Sequence, residues 1–186
     1  MNLEIVCAGI GGRGVLLAST ILIETAIDNG YNAIASDEYG MSQRGGSVVS
    51  LVKVGNFKSP LVGREMADII LAFEESEFYR NIAMLKREGI AVVNTRRKAL
   101  PDAIHSLAKE RRLACYLVDA DSIAKERGMI QAANMALLGF FTFLSIEPYT
   151  QDKIEGTIRK KVPEKVLKKN LEIFQAGYAQ AKNRSL

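Results

Sequence analysis

The sequence predicts an α/β protein with a Rossmann-like three-layer fold, a mixed and mostly parallel sheet, and a helical C-terminal third. Three features of the 186 residues support this prediction. An apolar run at residues 3–8 leads into four glycines and a helical pattern, strands and helices alternate from residue 67 to residue 128, and no strand pattern follows. Such alternation is typical of a sheet covered by helices on both faces. The length suits one domain over residues 1–186.

The first elements are assigned from hydrophobic periodicity. Residues 3–8 form a near-continuous apolar run, as in a strand that is buried on both faces. Residues 15–29 carry apolar side chains at helical spacing, and Gly30 follows as a C-terminal stop. Residues 31–36 are predicted as the second strand, which would complete a short strand–helix–strand unit.

Residues 37–46 do not continue this repeat, because they are too few and too rich in glycine for a crossover helix. They nevertheless lead into a clear strand at residues 47–54. Parallel strands need a longer crossover, so this strand is either antiparallel or reached by an irregular loop. Asp37 and Glu38 open the segment. A carboxylate here could contact a ribose hydroxyl, as in dinucleotide-binding folds, or could simply form a turn.

Regular alternation resumes at residue 67. Strands are predicted at residues 67–73, 90–95 and 113–118, and helices at 76–88, 122–127, 130–144, 151–161 and 163–182. Residues 96–112 are polar and contain Pro101, and no regular element is predicted there. The helix at 130–144 is apolar enough to be fully buried.

Composition excludes several classes of protein. Hydrophobic residues make up 48% and charged residues 25% of the chain, and the net charge is +4. No apolar run approaches the ~20 residues that cross a bilayer, and no signal peptide is recognised, so we expect a cytoplasmic protein without membrane contact. Two isolated cysteines suggest a reducing compartment and cannot alone hold an iron–sulfur cluster, which needs about four thiolates. With a single histidine, we expect no zinc site.

Basic residues are concentrated from Lys153 onward. They could face nucleic acid, an acidic protein or a phosphorylated cofactor. Aromatic residues do not alternate with them, so we expect a solvated helix face and no nucleic-acid partner.

The glycine-rich turn after the first strand is the main candidate site. Gly9 would allow a tight turn, Gly11 would let phosphates approach the backbone, and Gly14 would let the following helix pack close to the sheet. With Gly12, the turn presents backbone N–H groups and a helix N-terminus to an anion, and Arg13 adds a cation. The turn is therefore predicted to bind a phosphate-bearing ligand. Glycines that serve only packing are the alternative.

The loop before the third strand is a second candidate. It contains Met41, Gln43, Arg44, Gly45 and Gly46. Arg44 can hold a carboxylate or phosphate through two N–H groups, and the two glycines would keep the backbone accessible.

No complete catalytic constellation can be assembled from the sequence. Glu74 and Glu75 follow a strand and could act as an acid–base pair, but more simply they charge or cap the next helix. His105 lies in a polar segment without a serine or cysteine nucleophile in evident context. This pattern fits a subunit whose chemistry is housed in another chain.

Taken together, these segments resemble the gamma-type subunits of the 2-oxoacid:ferredoxin oxidoreductases, and among them the indolepyruvate ferredoxin oxidoreductases. The most specific match is Gly-Met-Ser-Gln-Arg-Gly-Gly at residues 40–46. Further matching stretches lie at residues 8–19, 47–50, 59–61, 67–74, 93–95 and 134–139. Where the family usually carries glutamine between the first glycines, this chain has Arg13, which changes the charge of the expected ligand pocket.

The resemblance implies a complex that oxidatively decarboxylates a 2-oxoacid, transfers the acyl group to coenzyme A and reduces ferredoxin. Thiamine diphosphate and the iron–sulfur clusters would belong to a larger alpha subunit, and coenzyme A would bind at the interface between the subunits. No catalytic or metal-binding residue is expected in this chain. The expected cofactor-binding residues are Gly9, Gly11, Gly12, Arg13, Gly14, Met41, Gln43, Arg44, Gly45 and Gly46.

Two other interpretations remain open from the sequence. One is a free-standing Rossmann-type protein that binds NAD(P) or another nucleotide on its own. The other is a purely structural partner in which the glycine turn binds nothing.

Overall fold

A six-stranded sheet organises the computed structural model, which describes residues 1–40 and 45–184. The strands are β1 (Leu3–Ile10), β2 (Ala33–Tyr39), β3 (Ser47–Val54), β4 (Ala67–Ala72), β5 (Leu85–Asn94) and β6 (Ala114–Val118). The helices are α1 (Val15–Asp28), α2 (Glu75–Asn81), α3 (Asp102–Glu110), α4 (Ala120–Glu126), α5 (Ala133–Thr142), α6 (Gln151–Lys161) and α7 (Glu164–Arg184). Short 3₁₀ turns at Ile82–Met84 and Ile130–Ala132 precede β5 and α5.

The sheet is mixed, and its order is β2-β3-β1-β4-β5-β6. β1, β4, β5 and β6 are parallel, whereas β3 runs antiparallel to both β1 and β2. β3 is therefore antiparallel, one of the two possibilities left open by the sequence. Because β3 lies between them, β1 and β2 are not neighbours, and the predicted first unit is not a pair of adjacent strands. β2 also extends to Tyr39, so Asp37 lies on a strand and does not open a loop.

Each face of the sheet carries its own core. Ile5 and Cys7 of β1 point to the face that packs against α1 and the helices from α4 to α7. Val6 and Ala8 point to the other face, which packs against α2 and α3. This alternation follows the period-2 geometry of a strand. It confirms the predicted α/β arrangement with helices on both faces.

The helix predicted at residues 76–88 is wrong in its second half. α2 ends at Asn81, and β5 begins at Leu85, which pairs with Ala67 of β4. Residues 86–88 favour helix when considered alone. Leu85 is fully buried beside β4, and this tertiary contact overrides local propensity.

A helix was also missed within residues 96–112. α3 follows Pro101, and its Ile104, Leu107 and Ala108 pack toward the second core. Their spacing is helical, but the segment is so rich in charged residues that its apolar positions did not indicate a helix.

The C-terminal third agrees more closely with prediction. Every residue of α5 is buried, as expected from its apolar sequence. α6 has the predicted bounds, and α7 covers most of the segment predicted after Pro163. Within the described ranges, no helix has the length and apolar character needed to cross a membrane.

Candidate functional site

The glycine turn joins the carboxyl end of β1 to the start of α1. The Arg13 N–H donates to the Ile10 carbonyl at 3.1 Å, which closes the turn. Gly12 and Gly14 have φ values of 91° and 73°, in the left-handed region that favours glycine. Gly14 is the residue immediately before α1. The turn therefore places backbone groups beside a helix N-terminus, as the sequence predicted.

Gly9 and Gly14 lie in close contacts within the protein. A Cβ atom at Gly9 would come within 2.7 Å of Val15 Cγ2, and one at Gly14 within 2.4 Å of Asn134 Nδ2. Gly9 thus permits the close approach of α1 to the sheet, a role that the sequence predicts for Gly14. Gly14 instead makes room for Asn134 of α5, whose Nδ2 donates to the Gly14 carbonyl at 3.2 Å.

The two predicted loops meet. The Gly11 N–H donates to the Gly46 carbonyl at 2.9 Å, and a Cβ atom at Gly11 would lie 3.4 Å from the Gly45 nitrogen. At Gly12 and Gly45, by contrast, an added Cβ would meet no atom within 4 Å. The Gly11 N–H is therefore engaged, whereas the backbone at Gly12 and Gly45 is open to a ligand. The predicted site residues Met41, Gln43 and Arg44 lie outside the described residues.

The guanidinium of Arg13 is bound by two carboxylates of the same chain. Its Nε and Nη2 donate to Glu74 Oε2 at 2.9 and 2.6 Å, and its Nη1 and Nη2 donate to Asp121 at 2.9 Å each. Burial lowers the pKa of Arg13, but the hydrogen bonds to Asp121 and Glu74 outweigh it and raise the pKa. Asn94 supports this arrangement by donating to Asp121 Oδ1 at 3.2 Å. Arg13 therefore ties α1 to the ends of β4 and β6.

Glu75 is also held by neighbouring side chains. It accepts hydrogen bonds from Tyr79 and Thr95 and forms an ion pair with Arg97, whose Nε lies 2.7 Å from Glu75 Oε1. Burial raises its pKa, but the hydrogen bonds from Thr95 and Tyr79 and the charge of Arg97 lower it overall. Neither Glu74 nor Glu75 caps α2 through a side-chain hydrogen bond, so that part of the expectation is wrong. Glu75 does lie in the first turn of α2, which confirms the expected placement of negative charge there, and both glutamates also bridge structural elements.

These groups lie at a switch point of the sheet. α1 leaves β1 toward the first core, whereas α2 leaves β4 toward the second. In open α/β sheets, ligands bind in the crevice at such a point, outside the carboxyl ends of the strands. A pocket of about 190 Å³ lies here, lined by Gly12, Arg13, Ile130, Gln131 and Ala133. It is smaller than the roughly 300–1,000 Å³ of typical small-molecule sites, so it is too small to enclose a ligand of that class.

The acidic residues proposed for a ribose contact lie elsewhere. In a dinucleotide-binding fold that carboxylate follows the strand adjacent to β1. Here β3 separates β1 from β2, and Asp37 Oδ1 accepts a hydrogen bond from Ser50 at 2.6 Å. The geometry therefore does not support binding of a ribose by Asp37 at the glycine turn.

Other candidates do not join this site. A roomier pocket of about 530 Å³ lies between α3, β6 and α5, and its lining includes His105, Cys115, Tyr116 and Phe140. It contains none of the residues predicted to bind a ligand. Burial raises the pKa of Cys115 to about 11, and burial together with Asp37 raises the pKa of Cys7. Both thiols therefore stay protonated near neutral pH, unlike reactive cysteines.

Sequence reasoning missed Asn94, Asp121 and Glu77, which shape the site. Asn94 ends β5 and Asp121 follows β6, so both lie at the carboxyl edge where parallel strands end together. Their position after parallel strands could have indicated that both residues lie near the glycine turn. Glu77 is buried on α2 and accepts a hydrogen bond from Ser47 Oγ at 2.6 Å, and nothing in the local sequence indicates this contact.

The basic C-terminal helices pair largely with nearby acids. Lys160 contacts Asp28 at 2.7 Å, and Lys161 contacts Glu24 at 2.6 Å, so α6 is linked to α1. Exposed ion pairs of this kind contribute little to stability. They support the interpretation of a solvated face.

The geometry is that of an α/β chain in which two glycine-rich segments meet beyond the carboxyl end of β1. Residues 4–180 match the protein-family model described as pyruvate ferredoxin/flavodoxin oxidoreductase. The chain therefore belongs to that family. The IorB subunit of indolepyruvate oxidoreductase from Archaeoglobus fulgidus is 31% identical, with 97% of this chain and 96% of that protein covered. The KorC subunit of 2-oxoglutarate synthase from Methanothermobacter marburgensis is 28% identical over 95% of each chain.

A solved structure of a related subunit supports this family assignment. The gamma subunit of a keto/oxoacid ferredoxin oxidoreductase from Geobacter sulfurreducens superposes with a TM-score of 0.77 and 27% identity, over 97% of this chain and 99% of that one. The expected identity as a gamma-type subunit of a 2-oxoacid:ferredoxin oxidoreductase is thereby confirmed.

Proposed function

We propose that this chain is the non-thiamine subunit of an indolepyruvate ferredoxin oxidoreductase, which decarboxylates an aryl 2-oxoacid, forms an acyl-coenzyme A and reduces ferredoxin. Four IorB proteins at 30–31% identity over nearly their whole length support the substrate. Relatives named for ketoisovalerate and 2-oxoglutarate enzymes support the shared class of reaction. The substrate choice rests on these relatives and on no residue of the site.

The second part of the proposal concerns coenzyme A. The observation that carries it is the junction of the two loops at Gly11 and Gly46, with open backbone at Gly12 and Gly45 on either side. The phosphates of coenzyme A suit backbone N–H groups at a helix N-terminus. Gly12, Gly45 and the Arg44 loop would make the contacts, and Arg13 would shape the turn through Glu74 and Asp121. The bound cofactor supplies the thiol that receives the acyl group.

The remaining cofactors are proposed for a partner. Iron–sulfur clusters would lie in a larger alpha subunit, because Cys7 and Cys115 are too few for a cluster and lie on different strands. Thiamine diphosphate would lie in the same alpha subunit, as the family resemblance implies. The pocket of about 190 Å³ is too small for a whole coenzyme A, so the partner would complete the site. We therefore propose a hetero-oligomer that passes electrons to ferredoxin, in the cytoplasm.

A matched pair of variants at Gly11 tests the coenzyme A site. Gly11→Ala places a methyl group in ordinary contact with Gly45, and no left-handed backbone opposes it. Gly11→Asp adds a carboxylate that would repel a phosphate. In the complex assembled with the alpha subunit, we expect Gly11→Asp to raise the KM for coenzyme A about tenfold or more, equal to about 1.4 kcal/mol. The KM for the 2-oxoacid should not change.

Gly11→Ala should stay within about twofold of the parent in both constants, since it adds only a small uncharged group. Arg44→Ala should also raise the KM for coenzyme A. An assembled Gly11→Asp complex with an unchanged coenzyme A dependence would refute this site.

A further inference from the structure

Two carboxylates at the start of α2, one on the residue before it and one inside it, contact both candidate loops. Glu74, at the residue before α2, binds Arg13 in the glycine turn at 2.6 Å. Glu77, three residues later, binds Ser47 beside the second loop at 2.6 Å. The start of α2 therefore contacts both loops.

The burial of Glu77 requires an explanation. Its side chain is only 2% exposed. A buried carboxylate is unfavourable unless it is paired, and an apolar side chain of similar size would suit this core better. Its other described ion pair, with Arg80 at 3.3 Å, involves a side chain that is 68% exposed and contributes little. The contact with Ser47 is therefore the main described use of this carboxylate.

Ser47 lies where the second loop enters the sheet. Three hydrogen bonds hold the segment from Gly45 to Ser47 in addition to the pairing of Ser47 with Ile10 of β1. The Gly11 N–H donates to Gly46, the Gly40 N–H donates to the Ser47 carbonyl at 2.8 Å, and the Ser47 hydroxyl donates to Glu77. Two of these contacts are made by backbone. Glu77 supplies the side-chain contact.

We propose that Glu77 is a positioning residue that holds Gly45, Gly46 and Ser47 beside the glycine turn for the ligand. This inference rests on the proposed coenzyme A site and deepens it. Glu77 does not touch the ligand. It acts by fixing Ser47, and thereby the position of the neighbouring Gly46 carbonyl, which accepts from the Gly11 N–H.

The test uses Glu77→Met, Glu77→Gln and Ser47→Ala in the complex assembled with the alpha subunit. Methionine keeps the size of the side chain but removes the acceptor, whereas glutamine keeps an acceptor oxygen for the Ser47 hydroxyl. Glu77→Met and Ser47→Ala should each raise the KM for coenzyme A about tenfold, with the KM for the 2-oxoacid unchanged. Glu77→Gln should restore most of the affinity. The double variant should be no worse than Glu77→Met, because both changes remove one contact.

Arg80→Ala is the matched control, since it removes the exposed partner of Glu77 and leaves Ser47 in place. It should leave both constants within about twofold. Equal losses in every kinetic constant together with a lower Tm would overturn the inference, because they indicate a purely structural role. If Glu77→Met does not assemble, Ser47→Ala and Glu77→Gln decide the question. Unchanged constants in Ser47→Ala beside a defective Gly11→Asp would refute the positioning role alone, whereas unchanged constants in both would refute the coenzyme A site as well.

Discussion

At the scale of single residues, the described interior pairs nearly all of its polar side chains. Tyr149 is an exception: it is fully buried, and its hydroxyl has no hydrogen-bond partner among the described residues. Burial, and to a smaller extent the nearby Cys7, raise the pKa of this phenol. An unsatisfied buried hydroxyl is a cost that the surrounding packing must offset.

Tyr149→Phe should therefore stabilise the protein. The substitution removes the unpaired oxygen and keeps the ring against Phe141. We expect a gain of about 1 kcal/mol and a rise in Tm of about 2–4 °C, measured by thermal and urea unfolding. Tyr79→Phe is the control and should lower the stability, because the Tyr79 hydroxyl donates a hydrogen bond to Glu75. A loss of stability in Tyr149→Phe would show that the hydroxyl has a partner.

At the scale of elements, α5 and α7 approach each other closely because two glycines face the opposing backbones. A Cβ atom at Gly139 would lie 1.9 Å from the Phe174 carbonyl oxygen, and one at Gly177 would lie 2.0 Å from the Ala136 oxygen. Neither contact can be relieved by turning a side chain. The buried helix α5 is thus held against α7 by backbone proximity at two points.

Gly139→Ala should force α5 and α7 apart and cost at least about 2 kcal/mol of unfolding free energy. Gly156→Ala is the matched control, because Gly156 lies inside α6 and an added Cβ meets no atom within 4 Å. That substitution should stabilise the protein by about 0.5–1 kcal/mol through helix propensity. Urea unfolding of both variants measures the difference. Similar stabilities for the two would contradict the close approach of the helices.

The elements also show what sequence could predict. Val15 as the start of α1, the bounds of α6 and the burial of α5 follow from glycine placement and apolar periodicity. The sequence predicts helix at Leu85, where the structure has a strand. This difference could not be foreseen, because the deciding contact with Ala67 is tertiary. The same holds for the site. The glycine turn was visible in the sequence, but Asp121, which binds Arg13, is 108 residues away along the chain.

At the scale of the whole molecule, the insertion of β3 between β1 and β2 separates this chain from a dinucleotide-binding protein. It moves the acidic end of β2 two strands away from the glycine turn, about 10 Å at the usual strand spacing. It also brings the start of β3, with Gly46 and Ser47, beside Gly11. The antiparallel strand β3 therefore places Gly46, at the end of the second loop, beside Gly11 of the glycine turn.

The central claim is that this chain supplies part of a site that only the assembled oxidoreductase completes. The most direct measurement is viologen reduction by the chain co-purified with its alpha subunit, compared with either subunit alone, across aryl and aliphatic 2-oxoacids with and without coenzyme A. We predict activity only in the complex, dependent on coenzyme A and highest with indolepyruvate. Full coenzyme A-dependent activity of the alpha subunit without this chain would contradict the account.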